Sequence, residues 1–140
     1  NAHSPERPDW KILSAQGTVA DQMGEHARAQ EFYRAALKVA PGEPAILSNL
    51  GLSYALIRRL DEAERVLSEA ANHPRADARV RANLALVLAL SGKFQQSEEV
   101  ARRDLPPGEA ERNVQNVRQM ISQNNSWAEI QKAELAKKKK

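Results

Sequence analysis

Small and apolar residues recur along this chain at a spacing of 34. Gly17 falls on Gly51 and then on Ala85. Ala29 falls on Ala63 and then on Ser97, Ala36 on Ala70, and Leu50 on Leu84. The alignments need no gap, so the chain reads as a tandem array of one structural unit. Within each unit the apolar positions follow helical spacing in two stretches. Each unit is therefore two antiparallel helices, A and B. Small residues stand at 17, 51 and 85 on helix A and at 29, 63 and 97 on helix B. Leu13, Leu47, Leu50, Tyr54, Leu67, Leu84 and Leu88 fill the layers between helices. One unit cannot bury its apolar face alone, so neighbours complete the core.

Helix punctuation falls in the same register. Asp9 and Asp77 are N-cap residues for the first and fifth helices. Gly24 and Gly92 separate A from B in units one and three. Pro41-Gly42 closes unit one, and Pro44 suits a first helical turn. Asp61 with Glu64 has the spacing of a capping box opening the second B helix. Asn72-His73-Pro74 ends that helix. Beyond unit three the pattern changes. Leu105-Pro106-Pro107-Gly108 stops helix B early, and Val114, Val117, Met120 and Ile121 then mark a helix from Glu109 to about Gln123, where a solenoid needs a cap. Asn124-Asn125 is expected to break it, with Ser126 and Glu129 capping a short final helix. Trp127, Ile130 and Leu135 on that helix either dock on the array or form a handle for self-association.

The predicted division is an unstructured start (1–9, with Asn1-Ala2 as a vector scar), units at 10–43, 44–77 and 78–111, a capping helix at 112–124, and a short helix with a basic tail at 125–140. Composition supports an all-α chain: only 4% of the 140 residues are aromatic, and Ala, Leu, Glu, Gln, Arg and Lys dominate. The net charge of +3 is an end effect. Without Lys137 to Lys140 the balance is 17 basic to 18 acidic residues. No global basic footprint of a nucleic-acid binder is present, and the lysine run reads as a solvated tail. There is no cysteine, which excludes disulfides, thiolate metal sites and Cys nucleophiles.

Thirty-four is the length of the tetratricopeptide repeat (TPR), whose signature is W-x2-L-G-x2-Y, then Ala, an aromatic, Ala and Pro. Unit one supplies Gly17, Ala29, Tyr33, Ala36 and Pro41. Unit two supplies Leu50, Gly51, Tyr54, Ala63 and Ala70. Unit three keeps Leu84, Ala85 and Ser97 but has Asp104 where the later Ala belongs. The chain thus resembles a TPR protein, which implies a right-handed superhelical solenoid of helical hairpins, in which Gly17, Gly51 and Ala85 on helix A face Ala29, Ala63 and Ser97 on helix B, where a larger side chain would push the pair apart. More narrowly, the segment from Arg81 to Phe94, then Ala101-Arg-Arg-Asp-Leu-Pro106, then Asn113 to Ile121, resembles the TadD-type proteins of Flp (tight adherence) pilus assembly. That resemblance implies a lipoprotein on the periplasmic face of the outer membrane, helping to place or assemble the pilus secretin. Its lipid anchor would precede residue 1; a cytoplasmic location is the alternative.

A search for chemistry finds little. His3, His26 and His73 form no metal-ligand spacing and read as surface or turn residues. No nucleophile elbow or phosphate loop is present. The expectation is a non-catalytic protein with no cofactor, no metal and no nucleic-acid partner, membrane-bound only through the missing anchor. The useful surface is the groove lined by helix A, which by TPR resemblance takes positions 2, 5, 6, 9, 12 and 13. The residues chosen are Thr18, Ser48, Asn49, Leu52, Arg79, Asn83 and Leu86. Asn49 and Asn83 sit one period apart, and each amide can bond an extended peptide backbone or a neighbouring helix. Arg79 can pair a carboxylate with two hydrogen bonds. Asn49 and Arg79 partly match the carboxylate clamp of chaperone-binding TPR domains, but Ser14 and Thr18 stand where that clamp has Lys and Asn. The expected partner is a protein segment, from a pilus or secretin assembly component or, alternatively, a peptide end captured by a cytosolic adaptor.

Overall fold

The computed structural model describes residues 9–138, apart from the side chains of 126–128, 131 and 138. Residues 1–8 of the predicted start (with His3) and the last two lysines lie outside that range. Seven helices follow in order: α1 (Trp10–Gln22), α2 (His26–Val39), α3 (Pro44–Leu56), α4 (Leu60–Ala71), α5 (Ala78–Leu90), α6 (Phe94–Ala101) and α7 (Pro107–Lys138). The first six pair as hairpins, and each hairpin packs on the next. Among the described residues, consecutive A helices (α1, α3, α5, α7) touch one another, whereas consecutive B helices do not. The array therefore bends toward its A helices, which line the inner face.

The inter-helix turns explain the period. Gly24, Arg58 and Gly92, each 34 apart, all take the left-handed conformation, with φ of 80°, 63° and 79°. In each turn the next N–H reaches back to close the A helix: Glu25 to Ala20 O at 2.8 Å, Arg59 to Tyr54 O at 2.9 Å, Lys93 to Leu88 O at 2.9 Å. This is a Schellman closure, which normally places glycine at the left-handed residue. Arg58 is the exception, and its Cβ carries the steric penalty of that region, about 1–2 kcal/mol. Replacing it with Gly removes that penalty but adds about 0.4–1 kcal/mol of unfolded-chain entropy. Arg58→Gly is thus expected to raise stability by about 0.5–1 kcal/mol, read as a higher urea midpoint at unchanged slope.

The same turn corrects the capping expectation at Asp61. The chain enters α4 directly after the closure, so Arg59 is the N-cap and makes no side-chain cap bond. Asp61 and Glu62 lie in the first helical turn, where their charge favours the helix dipole. Asp9 and Asp77 do cap, accepting from the N–H groups of Lys11 and Val80 at 2.8 and 3.0 Å.

The close approach of A to B also involves a residue one turn further along helix B than the small residue of the pattern. A Cβ on Gly17 would lie 2.5 Å from the Tyr33 ring, and one on Gly51 would lie 2.5 Å from Leu67 Cγ. Both partners sit four residues after Ala29 and Ala63, on the same helical face. Unit three inverts the arrangement. Ala85 carries its own Cβ, and the residue equivalent to Tyr33 and Leu67 is Ala101, with both alanines in a small separate apolar cluster. Ser97 does face Ala85 as expected, donating to its carbonyl at 2.6 Å.

The largest departure lies at the C-terminus. Asn124-Asn125 does not break the chain, and α7 runs unbroken through Ser126, so no second capping box forms. No Gly or Pro occurs after Gly108. Two Asn residues cost only a few tenths of a kcal/mol each against flanking Gln, Glu, Lys and Ala. The first turns of α7 pack on α5 and α6 and bury Ala110 and Val114. Val114 stands 34 after Val80 and 68 after Ile46, both buried. The expected cap is therefore the start of a fourth helix in the A register. Ile130 and Leu135 do not dock: they are 52% and 60% exposed. The Trp127 side chain lies outside the described set.

Candidate functional site: the inner face of the A helices

Two recesses open on the inner face. The first, about 390 Å³, lies among α1, α3 and α5 and is lined by Trp10, Lys11, Ser14, Thr18, Ser48, Asn49 and Arg79, among others. The second, about 580 Å³, lies between α5 and α7 over α6 and is mostly apolar. Arg79 borders both. Of the residues chosen from sequence, Thr18, Ser48 and Asn49 line the first recess, Leu86 lines the second, and Arg79 joins them. Leu52 and Asn83, both half-buried on α3 and α5, line neither.

The two asparagines bridge repeats. Asn49 Nδ2 donates to Ser14 Oγ at 3.0 Å, and Asn83 Nδ2 donates to Ser48 Oγ at 2.8 Å. Ser14 and Ser48 are 34 apart, so these are successive rungs of one ladder joining each A helix to the next. The amide nitrogens are used inside the solenoid, where they fix the spacing of the inner face. Arg79 is exposed and, among the described residues, forms no ion pair. The acidic liners are engaged: Asp77 caps α5, and both oxygens of Asp104 accept from Arg81 at 2.8 Å. The Arg81 guanidinium holds the Asp104 carboxyl below the usual carboxylate range.

Behind the first recess lies a polar network that the sequence pattern missed. Asp21 is its hub. Its Oδ1 accepts from Ser53 Oγ at 2.9 Å and lies 2.8 Å from His26 Nδ1, and its Oδ2 accepts from Tyr33 OH at 3.0 Å. Gln30 Nε2 donates to Ser53 Oγ at 3.3 Å. His26 is thus a structural partner of a carboxylate rather than a plain surface histidine. The network ties α1 and α2 to α3. Nothing at a spacing of 34 repeats it, because Asp21 and Tyr33 give way to Ala55 and Leu67 in unit two, so no periodicity marked it.

Burial, reinforced by Asp21, pushes the Tyr33 phenol up to about 12, although the Thr18 hydroxyl partly opposes this. A raised phenol stabilises the fold fully below the ordinary value near 10, and that stabilisation fades as pH climbs toward 12. Stability is expected to fall across pH 10–12. In Tyr33→Phe that part of the slope should vanish, as measured by denaturation at each pH.

Among the described residues, no group of three or more His, Cys, Asp or Glu can hold a metal ion, and no helix is long and apolar enough to cross a membrane. Comparison with known proteins accords with the geometry. Residues 22–87 match the tetratricopeptide repeat family. The solved TPR domain of Sgt2 from Aspergillus fumigatus superposes with a TM-score of 0.68 at 20% identity, over 88% of this chain and 83% of that one. The first TPR of Spaghetti (RPAP3) bound to the HSP90 peptide SRMEEVD gives 0.67 at 14% identity, over 81% and 96%. MamA from MSR-1 gives 0.62 at 21% identity, over 89% and 74%. Among curated proteins, the human protein O-mannosyl-transferase TMTC1 is 36% identical over 84 residues. Those residues are 60% of this chain, which spans only 9% of that protein's length.

Proposed function

From the premise that the chain is a TPR repeat protein, we propose that it is a non-catalytic scaffold that holds a segment of a protein partner on the inner face of its A helices. The observation that carries this reading is the pair of recesses meeting at Arg79, an exposed cation without an ion pair among the described residues. Solved relatives of the same fold hold peptides, as in the Spaghetti (RPAP3) complex. We assign the partner to Flp/Tad pilus assembly or secretion, with the protein on the periplasmic face of the outer membrane through a lipid anchor. Support for that finer reading is the resemblance over residues 81–121. Affinity capture of the full-length protein from its native membrane tests it. Pilus or secretin components are expected, and recovery of cytosolic proteins alone would contradict it.

A second reading, capture of a peptide end by a cytosolic adaptor, is favoured by Arg79 at the clamp position. Against it, the Thr18 hydroxyl donates to Ser14 O at 3.2 Å and lies 3.4 Å from Tyr33 OH, and Ser14 accepts from Asn49, so positions 14 and 18 offer neither the cation nor the free amide of that clamp. The peptide SRMEEVD with free and amidated ends discriminates: equal affinity for both removes this reading.

A further inference from the structure

The inner face changes character at its third interface. Interfaces one and two each carry a Ser–Asn rung. At the next positions in register, 82 and 117, stand Ala82 and Val117, and both line the larger recess. A second substitution acts on the same space. Tyr33 and Leu67 fill the hairpins of units one and two, whereas unit three has Ala101, also a lining residue. The hairpin is shortened too, because α6 has 8 residues against 14 and 12 for α2 and α4. The first departure thus makes this interface apolar, and the other two remove side-chain volume at the same place. The result is an apolar recess of about 580 Å³, within the range of about 300–1,000 Å³ typical of ligand sites. Its rim carries Arg79, while its one acidic liner, Asp104, is bound to Arg81.

Resting on the reading that the inner face holds a protein segment, we propose that this recess is the anchor pocket for a bulky apolar side chain of an acidic partner segment, a neighbouring carboxylate of which pairs with Arg79. Such a site combines the two features of a binding hot spot: an apolar anchor shielded from water and a charge pair at its edge. Charge complementarity selects the occupant. The far part of α7 from a second copy offers apolar, exposed Ile130 and Leu135, but the sequence from 129 to 140 holds Lys132 and Lys137 to Lys140 against only Glu129 and Glu134. A segment of that sign is repelled from Arg79, so an acidic segment of another protein is the match.

The test uses the full chain as bait for random linear peptides displayed on phage, followed by fluorescence anisotropy on the enriched sequences. Enriched peptides are expected to share a bulky apolar residue with Asp or Glu close by. Ala82→Phe and Asn116→Phe fill the recess from opposite walls at exposed positions. Each is expected to weaken binding at least about tenfold with an unchanged circular dichroism melt, and either one suffices if the other disturbs the fold. Arg79→Glu should reverse the preference toward basic peptides. Binding that survives both fillings within about twofold, or selection without acidic residues, overturns the proposal. If binding is instead lost in Ala15→Phe and Ala45→Phe, which fill the smaller recess, the anchor pocket is wrong and the inner-face reading stands. If no peptide is enriched, or no filling on either recess matters, both fall.

Discussion

Gly51→Ala and Leu67→Ala are expected to be strongly non-additive. Leu67 is fully buried between α3 and α4, and its truncation is expected to cost about 2–5 kcal/mol. The Ala methyl added at Gly51 would sit 2.5 Å from Leu67 Cγ and 3.1 and 3.2 Å from its two Cδ atoms. The near atom is a branch point rather than a free end, so helix α4 must move. Overpacking of this kind costs about 1–3 kcal/mol, offset by up to about 1 kcal/mol of gained helix propensity. In the double variant the branch is gone, and the new methyl enters space that Leu67 vacated. The pair then matches Ala85 and Ala101, the combination the third unit already uses. Urea denaturation of the four proteins should give a coupling of at least about 1 kcal/mol in the favourable direction. A cycle additive to within about 0.5 kcal/mol would mean that the two helices are not in the contact described.

Asp21→Ala is expected to cost about 3 kcal/mol, a large loss for a residue at the end of a short helix. Its carboxylate is the shared acceptor for Tyr33 and Ser53, and its side chain is only 11% exposed. Removing it strips two buried hydroxyls of a charge-assisted acceptor, and each such loss costs about 1–3 kcal/mol. In the Tyr33→Phe background the same change should cost less, since one orphaned hydroxyl is already gone. The Tyr33 phenol should also titrate lower in Asp21→Ala, because both the hydrogen bond and the charge that raise it disappear. Because Asp21 joins the first hairpin to α3, the loss should fall on the junction between repeats and loosen the first recess.

Much of this architecture is legible in the sequence because a tandem repeat states each structural demand several times. Gly17 and Gly51 mark close helix approach, and Leu47, Leu50, Tyr54, Leu67, Leu84 and Leu88 are all buried as their spacing implies. Three features stayed hidden for different physical reasons. Arg58 occupies a glycine position, which only its place midway between Gly24 and Gly92 reveals. Asn124-Asn125 looks like a stop, yet Asn disfavours a helix somewhat less than Gly and far less than Pro, and α7 runs on. The Asp21 network is not repeated, so no period marks it. Of the candidate site, the inner-face positions could be read from register. The use of Asn49 and Asn83 as rungs could not, because an amide serves a neighbouring helix and a bound peptide with the same atoms. The larger recess is visible in sequence only as what is missing: Ser and Asn at 82 and 117, and a large residue at 101.

The most direct test of the inner face as the holding surface is site-specific photo-crosslinking in the native cell. A photoreactive phenylalanine analogue is placed at Ala15 or Ala82, exposed on the inner face, or at Glu31 or Glu69, exposed on the B helices. A discrete crosslinked partner band is predicted from Ala15 and Ala82 and not from Glu31 or Glu69. Bands from Glu31 and Glu69 alone would contradict the assignment of the inner face as the binding surface.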